Sequence, residues 1–338
     1  MKRIPTLDGW RGIAILMVLI THLQMSLLRH AWHFAWMDLG QHGVTIFFVL
    51  SGYLITTRLQ AEKEVDHLRS FYLRRFFRLM PCAWLYLLAV AFFGLLIHQR
   101  MVTRDFWGCL FFYRNYGAFE GVPVLTCHFW SLSIEEQFYL LWPLFLIVLG
   151  ARKSLVFAIA ASLGCAAWRL WHWSSYDSGY NFLRTEARVD ALLVGCSLAL
   201  LIQSAEVRAF FQRFARPVVA LGLASLCLHI YKFQTLLPLS ESVTIAALIG
   251  TTSVSAENSL MSRFLEYKHL RFLGLCSYSV YVWQQVFLMP RWGVLAPIVA
   301  SFLPLIAVLS YALIERPCVE LGRKLEKRLR NYQPYVNA

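Results

Sequence analysis

Three stretches of this chain, Ile13–Leu28, Val44–Thr57 and Leu132–Leu149, run almost without charge and approach the length at which a helix crosses a bilayer. Roughly 20 apolar residues, rising ~1.5 Å each, span the ~30 Å hydrocarbon layer. Inside lipid every backbone N–H and C=O must find its partner within the segment, so such runs are predicted helices. Of the 338 residues, 58% are apolar and 15% charged, against roughly half and a quarter in a soluble domain. The predicted fold is therefore all-α, a polytopic transmembrane helical bundle of about ten spans. They lie near 10–28, 40–57, 79–97, 132–149, 154–172, 187–203, 217–231, 236–253, 273–289 and 294–314.

Loop charges test that count. With the N-terminus cytoplasmic, ten spans return the C-terminus to the same side, and about 23 of the 32 Lys and Arg then face inward, as positively charged inner loops require. The net charge of +13 is thus read as topology. No soluble domain is expected to present it to nucleic acid. Lys2 and Arg3 before an apolar stretch imitate a secretory signal, but Arg29-His30-Ala31-Trp32 is no small-residue cleavage site, so the first span is expected to be retained. The polar stretches Arg58–Ser70, Val102–His128 and Trp173–Arg188 are too short for a second domain, and residues 1–338 are expected to form one membrane unit. The tail, about 315–338, carries a basic amphipathic helix over Glu320–Arg330, suited to anionic headgroups. Eight scattered cysteines show no zinc or redox spacing; Cys109 and Cys127 are the one pair whose shared loop permits a disulfide.

Several polar residues fall where lipid makes them costly. His22 follows Arg11 by eleven residues on the first span, ~16 Å along a helix axis and near the bilayer midplane. An ionisable group at that depth is a functional candidate; the other reading is a histidine bonding a neighbouring helix. Arg75 and Arg78 are one turn apart in the loop before the third span, which suits phosphate contact as well as simple anchoring. Ser133 and Glu136 have capping-box spacing, which gives Glu136 a structural role. Glu135 lacks one and, just inside the outer boundary, needs a partner such as a histidine. Ser131 at the same helix start and Tyr53 on the second span are candidate substrate contacts, while Gly52 is expected to serve close packing. Asp190, preceded by Arg184 and Arg188, either touches substrate or pairs with a cation on another helix.

Six motifs in order resemble those of the acyltransferase 3 family, bacterial membrane enzymes that acylate surface glycans and related acceptors. They are Thr6-Leu7-Asp8-Gly9-Trp10-Arg11-Gly12-Ile13-Ala14 with His22, Ile46–Tyr53, Arg74-Arg75-Phe76-Phe77-Arg78, Phe129–Tyr139, Arg188–Gly195, and the closing pair Ser277–Trp283 with Ile314-Glu315-Arg316-Pro317. The match runs from about residue 4 to 322. It departs at Gln284, where the family often has histidine, and in the expectation that no hydrolase-like domain follows, so that transfer finishes within the membrane unit.

The resemblance implies a cytoplasmic acyl-CoA donor, acetyl-CoA foremost, and a carbohydrate or small natural-product acceptor, in a multi-pass protein of the bacterial inner membrane. Arg11, Arg75 and Arg78 would neutralise the donor's phosphates. His22 would deprotonate the acceptor hydroxyl or carry the acyl group, with Glu135 or Glu136 orienting its ring. No metal is expected. A transporter or flippase for a lipid-linked glycan also places polar groups at mid-depth; it differs in needing no phosphate-binding arginines.

Overall fold

The computed structural model describes residues 4–27, 39–61, 66–96, 103–116, 124–172, 183–232, 238–254, 259–288 and 290–332. Lys2, Arg3 and Lys63 of the inner-loop charges, the Arg29–Trp32 segment and most of the Trp173–Arg188 stretch lie outside the described residues. All regular structure among the described residues is helical. In chain order the helices are α1 (Pro5–Leu27), α2 (Leu39–Ala61), α3 (Asp66–Leu96), α4 (Thr103–Leu110), α5 (Phe129–Trp171), α6 (Thr185–Arg188), α7 (Asp190–Leu201) and α8 (Ala205–Arg213). They continue with α9 (Ala215–Lys232), α10 (Pro238–Val254), α11 (Leu260–Leu265), α12 (Lys268–Phe287), α13 (Ala296–Ser301), α14 (Leu303–Ser310) and α15 (Arg316–Tyr332).

A straight α5 of 43 residues would measure ~65 Å, twice a bilayer's apolar core. It is not straight. Gly150 takes φ 71° and ψ 170°, a left-handed turn that glycine adopts without steric cost. Phe145 and Phe157, which a continuous helix would hold ~18 Å apart, stack with ring centroids 4.9 Å apart. Ser154 Oγ also reaches back to the Phe145 carbonyl. The halves 129–149 and 151–171 are thus an antiparallel pair, as the two expected spans 132–149 and 154–172 require.

Each of the ten expected segments falls on helix. By length and apolar composition, four helices qualify to cross a bilayer, or six if two bent pairs each count as one span. The count of ten goes beyond that criterion because several segments are short: α7 has 12 residues and α10 has 17. Large apolar side chains on the outer surface, Leu88, Phe92, Leu140, Val148 and Leu313 among them, mark an integral membrane protein whose solvent is lipid.

The interior is tied by close packing and polar contacts between helices. α1 packs against α2 and α12, and α2 lies along α7. There the glycine expected to pack does so: a methyl at Gly52 would strike the Leu192 carbonyl, and one at Gly195 the Val49 carbonyl. Trp10 Nε1 donates to Thr252 Oγ1 at 3.0 Å and Trp142 Nε1 to Thr56 Oγ1 at 2.8 Å, bonds worth ~0.6 kcal/mol each on average in a membrane interior. The tail helix is amphipathic as expected, and α15 docks along α3, with Glu326 paired to Arg74. All eight cysteines, Cys109 and Cys127 included, are free thiols, so the permitted disulfide is not formed.

Candidate active site

The third span begins earlier than its apolar pattern suggested. α3 is helical from Asp66, so Arg75 and Arg78 stand on its shaft and not in a loop. Their three-residue spacing puts both on one wall of a cavity of about 150 Å³. α1 adds Arg11 to that wall. α2 adds Ser51 and Arg58, which fall with Phe47 and Leu54 on one helical face. α5 adds Ser131, Glu135 and Tyr139; α12 adds Ser277, Tyr278 and Tyr281. Four guanidinium groups and one carboxylate therefore line a single space, an excess of positive charge at one end of the bundle.

Each carboxylate here has a partner. Glu135 Oε1 accepts from Ser51 Oγ at 2.8 Å. Glu136 Oε1 accepts from Arg75 Nε at 3.1 Å and from a terminal Arg75 nitrogen at 2.8 Å, and the Arg75 guanidinium lies over the Tyr139 ring. The capping box is absent because α5 starts at Phe129. Ser133 is consequently inside the helix and donates to the Phe129 carbonyl, which leaves Glu136 for Arg75. Glu315, on a π-helical turn Tyr311–Glu315, accepts from Ser279 Oγ at 2.8 Å and lies in electrostatic range of Arg11 and Arg78.

His22 is elsewhere. α1 is unbroken between Arg11 and His22, so the imidazole stands ~16 Å along the axis. It lines a second cavity of about 190 Å³ with Thr21, Gly40, Gln41, Cys127, His128, Trp130, Tyr281 and Gln285. Its Nδ1 bonds the Val18 carbonyl at 2.9 Å. A carbonyl only accepts, so Nδ1 carries a proton, and in the neutral ring the lone pair is on Nε2. Glu135 and Glu136, expected to orient this ring, are not in the lining of its cavity and sit with the arginines.

Between the cavities stands Tyr281, which lines both. Its hydroxyl shares a 2.6 Å hydrogen bond with Ser131 Oγ and also donates to the His128 carbonyl at 3.1 Å. Both cavities are built from α1, α2, α12 and the start of α5, at opposite ends of those helices.

Three candidates stand outside both cavities: Glu136, bound to Arg75, Tyr53 and Asp190. Tyr53 is buried two residues beyond Ser51, on the far side of α2 against α7. Asp190 pairs with Arg169 at 2.7 Å, both buried, which joins α7 to the second half of α5. Conversely, Arg58, Tyr139, Tyr281, Glu315 and His128 line or border the cavities without having been singled out. Arg58 had a signal: it is seven residues, two turns, after Ser51. Among the described residues no three His, Cys, Asp or Glu side chains group to hold a metal ion.

The family profile described as "Acyltransferase domain" matches residues 4–314. The peptidoglycan O-acetyltransferase OatA of Listeria monocytogenes is 29% identical over 95% of this chain and 56% of its own length. YrhL of Bacillus subtilis is 30% identical over 97% of this chain and 57% of its own. The O-acetyltransferase OatA of Staphylococcus aureus is 28% identical over 96% of this chain and 58% of its own. The chain therefore spans a little over half the length of these relatives. No solved structure matches it.

Proposed function

This chain belongs to the acyltransferase domain family, and from that premise we propose that it is a membrane-embedded O-acyltransferase moving an acyl group, acetyl foremost, from a cytoplasmic acyl-CoA to a carbohydrate hydroxyl. All three relatives are O-acetyltransferases by name, and peptidoglycan stands in the names of two. The observation that carries the reading is the cavity lined by Arg11, Arg58, Arg75 and Arg78. A nucleotide thioester brings several phosphate charges, and guanidinium groups bind phosphate in fixed fork geometry. We place this cavity on the cytoplasmic side, with both termini, in a multi-pass protein of the inner membrane working as one domain.

In this scheme the arginines hold the donor's phosphates and Glu136 holds Arg75 in place. The thioester reaches the partition at Ser131 and Tyr281. On the other side His22 Nε2 takes the proton of the acceptor hydroxyl. The oxygen attacks the thioester carbonyl, a C–O bond forms, the C–S bond breaks, and the proton passes to the departing thiolate. The products are the ester and free CoA.

A general base of this kind contributes about 10²–10⁴-fold. His22→Ala is expected to lower turnover by that factor, measured as radiolabel moved from acetyl-CoA to glycan strands by purified protein in nanodiscs, with CoA binding unchanged. Acylation at the wild-type rate by this variant would remove His22 from the mechanism.

A further inference from the structure

The cavity around His22 holds polar atoms that find no partner of good geometry among the described residues. His128 is 4% exposed and its ring is boxed by Tyr86, Phe129 and Tyr281 at centroid distances of 5.2, 4.9 and 5.6 Å. One ring nitrogen comes within reach of the Val282 backbone, but neither nitrogen makes a hydrogen bond of good geometry among the described residues. Gln285, also 4% exposed, leaves its Oε1 equally without a partner. Both side chains line the same space as His22. A buried polar atom left unpaired costs about 1–3 kcal/mol, so several around one cavity call for a ligand. The set asks for a ligand of one kind. Neutral imidazole offers one donor and one acceptor, and Gln285 Oε1 offers an acceptor. A group that both donates and accepts satisfies them, as a ring bearing several hydroxyls does.

We propose that this histidine chamber is the acceptor site, in which His128 and Gln285 hold the hydroxyl-bearing ring of a carbohydrate and present one of its hydroxyls to His22. His128 is then a substrate-binding residue. The assignment rests on the acyl-transfer reading only for the ligand's role as acceptor; that a glycan binds here is separable from it.

Cys127 provides the readout, since it is a partly exposed free thiol lining the same chamber. The intact protein in nanodiscs is alkylated with N-ethylmaleimide, and modification of Cys127 is followed by peptide mass spectrometry. Soluble glycan strands released from peptidoglycan, without donor, are expected to protect Cys127, while CoA is not. Gln285→Leu and His128→Asn are expected to shift half-protection to at least tenfold higher glycan concentration. In turnover they raise KM for glycan and leave KM for acetyl-CoA unchanged. Two variants are used because His128 is adjacent to the probe, and CoA binding serves as the check on folding. Protection by CoA, no protection by glycan, or full protection in both CoA-binding variants would each overturn the site. Protection by glycan with no acyl transfer from any acyl-CoA would keep the site and refute the acyltransferase reading.

Discussion

Replacing Arg75 by lysine keeps a positive charge in the arginine cavity and removes a planar fork. The fork has three uses in the structure. Nε and a terminal nitrogen bond Glu136 Oε1 at 3.1 and 2.8 Å, the guanidinium plane covers Tyr139, and the side chain lines the cavity assigned to the donor. Two of its five N–H donors go to Glu136, which leaves three for a phosphate. One charge-assisted hydrogen bond is worth about 1.5–3 kcal/mol, and a factor of ten in affinity is ~1.4 kcal/mol. Arg75→Lys, which cannot hold Glu136 and a phosphate at once in that geometry, is therefore expected to weaken CoA binding by roughly 10–150-fold. The assay is equilibrium binding of tritiated CoA to protein in nanodiscs at fixed salt, with thermal unfolding measured alongside. Glu136→Gln is the companion, because it breaks the ion pair and keeps the guanidinium. Wild-type CoA affinity in Arg75→Lys, with both variants losing stability to the same extent, would make Arg75 a brace between α3 and α5 and nothing more.

Asp190→Asn removes one partner from the buried pair with Arg169, a change that typically costs about 3–5 kcal/mol. Its thermal midpoint should fall while turnover per folded molecule stays at the wild-type value; lost turnover at unchanged stability would return Asp190 to the substrate. Gly195→Val puts a branched side chain where even a methyl meets the Val49 carbonyl. The yield of monodisperse protein after detergent extraction should drop severely, and a normal yield would contradict the close approach of α2 and α7.

Much of the architecture was legible because apolar length and charge are local properties. The ten apolar segments locate helices, and the break expected between 132–149 and 154–172 falls at the Gly150 turn inside what would otherwise be one 43-residue rod. Helix starts were less legible. Phe129 and Asp66 begin helices ahead of the apolar pattern because packing inside the bundle stabilises turns that carry polar residues. The carboxylates' partners were hidden for another reason: Glu135 meets Ser51 on α2 and Glu136 meets Arg75 on α3, contacts between helices far apart in sequence. Spacing on one helix brought Arg11 and His22 out correctly as a pair on α1. It gave no sign that Glu135 binds Ser51 or that His128 shares a chamber with His22, since those contacts depend on how four helices are rotated about their axes.

Charge within the bundle explains why the two chambers are unlike. Each cation held at bilayer depth costs about 2.5–3.5 kcal/mol on insertion scales, and Arg11, Arg58, Arg75 and Arg78 share one cavity. Glu135, Glu136, Glu315 and Asp8 stand near them, but only Glu135 shares the lining, which holds four guanidinium groups to one carboxylate. A polyanion with several phosphates offsets that excess, whereas a neutral sugar does not. The other chamber has the opposite character: among the described residues its lining holds imidazoles, amides and aromatic rings, and no arginine, lysine or carboxylate. A neutral polyol meets no unpaired charge there, and a nucleotide would meet no counter-charge. On the proposed function, donor and acceptor are thereby sorted by electrostatics to different cavities of the same helices, and only a neutral acyl group would have to pass the Ser131–Tyr281 hydrogen bond between them.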